Sequence, residues 1–119
     1  MANSAKDKGD RAEREAAELF SALTGHPLRR ELGAGRQDDQ GDIDGLPDCA
    51  LQVVHWADVS AAIRQKPIGA ERQRINRRAR WAATLLRLRG KMWRVVLTPE
   101  QFAALYADAL RGRDVSGGR

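Results

Sequence analysis

The stretch from Gly41 to Trp56 places the tightest limits on the fold. Gly45-Leu46-Pro47-Asp48 is dense in turn formers and separates the short strand Asp42-Ile43-Asp44 from Ala50-Leu51-Gln52-Val53-Val54-His55-Trp56, which is β-rich and largely apolar. The pair predicts a hairpin, with its second strand central in a sheet.

Helical patterns flank that hairpin. From Arg11 to Thr24, Ala12, Ala16, Leu19, Phe20 and Leu23 recur at spacings of three and four, and Gly25 ends the run. Leu28 to Leu32 suits a half-exposed strand, followed by a polar glycine-rich loop from Gly33 to Gln40. After the hairpin, Asp58 or Ser60 is placed to cap a helix carrying Val59, Ala62 and Ile63, which Pro67 is expected to interrupt. A long basic helix is then expected from Gly69 toward Arg89, with Ile75, Ala79, Ala82 and Leu86 on one side and Gly90 as its stop. Met92 to Leu97 reads as a strand. Thr98-Pro99-Glu100-Gln101 supplies an N-cap, a first-turn proline and the glutamine of a capping box for a last helix, with Phe102, Leu105, Tyr106 and Ala109 expected to face inward. The expected architecture is α/β, a mixed sheet flanked by helices in the order αβββαβα.

A length of 119 residues gives one domain with a modest core, expected over residues 9–110, with flexible ends at 1–8 and 111–119. No stretch approaches the roughly 18 to 20 apolar residues of a membrane span, and no signal-peptide core is apparent, so a cytoplasmic protein without membrane partners is expected. The lone Cys49 has no disulfide partner, and with His26 and His55 as the sole histidines no Cys/His zinc cluster can be assembled. Cys49 fits a small buried side chain beside a strand.

The excess of 21 lysines and arginines over 16 acids gives a formal charge of +5 and points to polyanions as partners. Between Arg64 and Arg94 stand eleven basic residues against one acid, Glu71. Arg64, Arg72, Arg74, Arg77 and Arg78 in that region are candidate DNA contacts, together with Arg29, Arg30 and Arg36 nearer the hairpin. No base-reading motif accompanies them, so recognition should follow backbone and shape. Trp81 and Trp93 suit core or dimer contacts better than base stacking.

A helix glutamate, Glu13, a strand-opening Asp42 and a polar Gln52 ten positions later are the oxygen-bearing groups that a metal-dependent nuclease would gather. Four segments carry a likeness at this point: Lys8-Gly9-Asp10-Arg11-Ala12-Glu13-Arg14-Glu15, Gly33-Ala34-Gly35-Arg36, Gly41-Asp42-Ile43-Asp44-Gly45-Leu46-Pro47 and Leu51-Gln52-Val53-Val54. In these the chain resembles the archaeal-type and phage Holliday junction resolvases of the PD-(D/E)XK nuclease superfamily. The resemblance implies a restriction-endonuclease-like fold, a homodimer acting on four-way DNA junctions in DNA recombination, and a Mg²⁺ (or Mn²⁺) site. It also implies residence with the DNA, at the nucleoid or in a phage-infected host cytoplasm.

That family's site holds a helix glutamate, an aspartate after glycine, and a Glu-x-Lys triplet. Glu13 and Asp42 match, whereas Gln52 and Val54 stand where Glu and Lys are expected. Asp42, Gln52 and Val53 are thus the implied metal ligands, with weakened affinity because glutamine lacks the charge. Valine removes the cation that steadies developing negative charge, a loss worth on the order of a hundredfold in rate. Lys66 on the following helix, or His55 with a register shift, is a candidate replacement. Two functions follow as expectations: a structure-selective endonuclease with weakened catalysis, or a nuclease-fold protein that binds branched or duplex DNA without cutting it.

Overall fold

A computed structural model of the chain describes residues 4–31 and 42–117. The elements run α1 (Ser4–Thr24), β1 (Arg29–Arg30), β2 (Ile43–Asp44), β3 (Cys49–Val54), α2 (Val59–Arg77), β4 (Trp81–Leu88), a 3₁₀ turn (Arg89–Lys91), β5 (Met92–Val96) and α3 (Pro99–Gly117). The five strands form one mixed sheet in sequential order; β3 and β4 are parallel and every other neighbouring pair is antiparallel.

Alternation along the two central strands sorts their side chains between two helical layers. Cys49, Leu51 and Val53 of β3, with Ala83 and Leu85 of β4, pack against Ala12, Ala16 and Ala17 of α1. On the other face Ala50 and Ala82 meet Ala70 of α2, and Val54 and Leu86 meet Ala62. Every residue of β3 is buried, as is the run from Ala82 to Leu86. Small alanines on both helices let them lie close to the sheet. The parallel β3–β4 pair requires a crossover, and α2 supplies it.

The expected order αβββαβα is corrected to αβββαββα. Residues 81–88, expected to continue the basic helix, form β4. The helix stops at Arg78, whose φ of 60° and ψ of 37° make a left-handed cap without glycine, its N–H donating back to the Arg74 and Ile75 carbonyls. Beyond it the apolar run is buried all round, which is a central strand's pattern and not that of a one-sided helix. Pro67 does not interrupt α2: it is buried within the helix. Its fixed φ suits the helix and it forgoes one N–H donor.

Local signals at the helix starts hold. The Asp58 carboxylate accepts from Ala61 N–H at 2.9 Å, capping α2. Thr98 Oγ1 accepts from Gln101 N–H and Gln101 Oε1 accepts from Thr98 N–H, each at 3.0 Å, which is a complete capping box. The inward face expected of α3 is corrected. Phe102, Tyr106 and Ala109 are exposed, with the two rings stacked 5.8 Å apart, and of the four only Leu105 is half-buried. Docking comes instead from polar ties: Gln101 Nε2 donates to Glu71 of α2 at 3.0 Å, and Trp81 Nε1 of β4 donates to Asp108 at 2.8 Å.

Candidate active-site cleft and basic surface

Asp42 is sewn into the sheet from both sides. Its N–H donates to Leu51 C=O at 2.9 Å and its C=O accepts from Glu31 N–H at 2.8 Å. The Ile43–Leu51 pairing sets Asp42 across the ladder from Gln52. The Asp42 carboxylate accepts the Val53 N–H at 2.8 Å, so Asp42, Gln52 and Val53, the implied metal ligands, are neighbours across β2 and β3.

Gln52 points toward α2 and is 7% exposed. Gly69 makes room for it: a Cβ there would stand 3.0 Å from Gln52 Oε1 and 3.3 Å from Nε2. Among the described residues Gln52 Oε1 has no hydrogen-bond partner, and neither has Oγ1 of Thr84, its register partner on β4. A buried acceptor without a donor carries a desolvation cost of about 1–3 kcal/mol. That cost is removed by a ligand that takes the oxygen's lone pair.

Lys66 shares this location. Gln52, Trp56, Lys66, Gly69 and Arg72 line one cleft of about 340 Å³ between the end of β3 and α2. The Lys66 ammonium lies over the Trp56 ring, 4.9 Å from its centroid, which steadies it at the cleft wall. Val54, where the resemblance places a lysine, is 3% exposed and packed with Ala62 and Leu86, so that position is closed and apolar. His55 turns elsewhere, its Nε2 3.2 Å from Arg87 Nη1.

Glu13 is held by Arg30, whose Nε donates to it at 3.1 Å while Nη2 donates to Asp10 at 2.8 Å. Arg30 follows Arg29 in β1 and pairs in register with Ile43, which brings Glu13 to the strand that Asp42 opens. The oxygens that the resemblance assigns to a metal are the Asp42 carboxylate, the Gln52 side-chain carbonyl and the Val53 backbone carbonyl, and of Val53 it is the N–H that meets Asp42. Among the described residues no group of three His, Cys, Asp or Glu side chains is arranged to hold a metal. Such a set suits a hard cation bound weakly, with one negative charge where an Asp–Glu pair offers two.

The expected DNA contacts divide by their partners. Arg77 is a structural tie: it donates to Glu31 at 3.0 Å, Asp44 at 3.3 Å and Cys49 C=O at 3.2 Å. Arg74 donates to Glu71 at 2.6 Å and to Ala79 C=O. Arg64, Arg72 and Arg78 are exposed on α2 and its cap, and Arg29 is exposed beside Asp44. Arg36 lies outside the described residues, as does the Gly33-Ala34-Gly35 segment. Sequence reasoning overlooked Arg87, a charge near the end of the buried strand β4, and the cations that surround it; an arginine interrupting the apolar run between Leu86 and Leu88 was the available signal.

No helix among the described residues is long and apolar enough to cross a membrane. No family model, curated protein or solved structure matches this chain.

Proposed function

We propose that this chain is a Holliday junction resolvase-like, structure-selective DNA endonuclease with weakened, metal-dependent catalysis, working as a homodimer on branched DNA in the cytoplasm or at the nucleoid. One observation carries the reading: Asp42 stands across from Gln52, and Gln52 shares a cleft with Lys66 and Arg72. A carboxylate, a second oxygen ligand and a cation are the functional groups that phosphodiester hydrolysis requires.

Asp42, Gln52 Oε1 and the Val53 carbonyl would hold Mg²⁺ or Mn²⁺, which when bound polarises the phosphate and acidifies the attacking water. Lys66 replaces the strand lysine as the group that offsets charge developing on the phosphate. Arg72, at the same cleft, holds the adjoining backbone. Glu13 acts at one remove, positioning Arg30 against β2. Arg64, Arg78 and Arg29 extend the cationic surface that grips DNA without reading bases.

A second reading, DNA binding without cleavage, is favoured by the burial of Val54 and by the pairing of Glu13 with Arg30. Labelled four-way junctions incubated with the protein and Mg²⁺ or Mn²⁺ separate the two. Cleavage that disappears in Asp42→Asn and falls at least tenfold in Lys66→Ala supports the endonuclease. Salt-sensitive binding with intact junctions supports the second reading, and absence of binding overturns both.

A further inference from the structure

On the side of the sheet opposite α2, the N-terminal half of α1 and the turn between β4 and β5 enclose a cleft of about 520 Å³. Lys8, Arg11, Arg14, Arg87 and Lys91 line it, against two acids, Glu15 and Glu18. Its floor is built, not incidental. Arg87 and Trp93 are register partners on β4 and β5, and both donate to the same oxygen of Glu15, at 2.9 Å and 2.8 Å. Trp93 is itself braced edge-on by Phe20, with centroids 6.2 Å apart. His55, leaving β3, meets Arg87 Nη1 at 3.2 Å.

The guanidinium is therefore fixed through Nε and Nη1, and neither contact uses Nη2. Its side chain is 17% exposed, so it pays little further entropy on meeting a ligand. Glu15 offsets one charge; the surrounding cations remain in excess. A guanidinium N–H can only donate, so the His55 Nε2 at this contact accepts from Arg87. A fixed arginine fork ringed by further ammonium and guanidinium groups is the chemistry of phosphate recognition.

We infer that this cleft is a phosphate-binding subsite centred on Arg87, taking a backbone phosphate of a nucleic-acid strand. It rests on the nucleic-acid part of the proposed function and is independent of cleavage. His55 and Trp56 are consecutive at the end of β3 and line the two different clefts. The subsite therefore lies across the sheet end from the Gln52–Lys66 cleft, where it anchors a strand arm away from the scissile bond.

The test combines two measurements on the full chain. Inorganic phosphate is titrated while the Trp93 indole N–H and Arg87 side-chain resonances are followed, in wild type and in Arg11→Gln/Lys91→Gln, which alters exposed residues that make neither of the hydrogen bonds from Arg87 and Trp93 to Glu15. A saturable shift in wild type, weakened at least fivefold in the variant, is expected. Binding of a labelled duplex and a labelled junction is then measured against salt. The variant should bind roughly tenfold more weakly, with a log–log salt slope shallower by about two phosphate contacts. Phosphate shifts without any DNA binding would show a site for free phosphate and overturn the nucleic-acid assignment. DNA binding with unchanged affinity and slope in the variant would overturn the subsite while leaving the proposed function standing. Absence of phosphate shifts at Trp93 and Arg87 overturns the subsite in either case.

Discussion

The Asp42 carboxylate accepts a 2.8 Å hydrogen bond from the Val53 N–H, joining the residue before β2 to the central strand β3. A side chain that holds the sheet together in this way confounds any alanine test of chemistry. Asp42→Ala strands a buried N–H and should cost about 1–3 kcal/mol. Asp42→Asn keeps an oxygen acceptor while removing the charge, so its unfolding midpoint in urea should stay much closer to wild type. Metal-dependent cleavage should be lost in both. If Asp42→Asn retains full cleavage, the carboxylate serves the fold alone.

Gln52→Glu restores the second carboxylate beside Asp42. Buried against Gly69 and close to a like charge, the new group should lower stability without metal and titrate above the usual carboxylate range. Mn²⁺ should then raise the melting temperature more in the variant than in wild type, because a ligand bound only by the folded state stabilises it by mass action. Equal responses would show that no cation is held at Gln52.

The hairpin, the α2 cap and the Thr98–Gln101 capping box were legible in sequence because each is decided within a few residues. The boundary of β4 was not. Arg78 ends α2 in a left-handed conformation without the glycine that announces such a cap, and Ala79, Ala82 and Leu86 happen to keep a helical spacing with Ile75. Their burial on both faces is a property of the assembled sheet. The same applies to function. Asp42 and Gln52 could be matched by spacing across a hairpin, and Lys66 by its place on the next helix. The Arg87 cleft is assembled from α1, β3, β4 and β5, so no local window displays it. Phe102 and Tyr106 carried a helical apolar pattern, yet their exposure was set by how α3 docks through Gln101 and Asp108.

Cys49 sits at the start of β3, 8% exposed, and burial pushes its thiol up to about 11, with the nearby Arg77 charge only partly opposing this. Thiolate is the reactive form, so the native protein should resist thiol reagents at pH 8, and labelling should track unfolding in urea. Because the folded-state value lies above the unfolded one, the associated stability is present below pH 9 and is lost as pH rises through about 11. Rapid stoichiometric labelling of the folded protein would contradict this placement.

Glu15 gives the opposite dependence. Burial raises its carboxyl, but hydrogen bonds from Arg87 and Trp93 and the charges of Arg87 and Lys91 together outweigh burial and hold it below the ordinary 4.5. A carboxylate depressed in the folded state contributes stability above its unfolded value, and that contribution is lost as pH falls from 4.5 through the lowered value. Glu15→Gln keeps an oxygen for Arg87 and Trp93 but cannot ionise. The stability gap between wild type and Glu15→Gln, measured by urea unfolding, should therefore be widest near neutrality and shrink below pH 4.5. The Trp93 indole resonance should move over the same window, since its N–H donates to the titrating oxygen. A gap independent of pH would mean that the Glu15 charge does not hold Arg87 in place, and the fixed guanidinium at the centre of the basic cleft would lose its support.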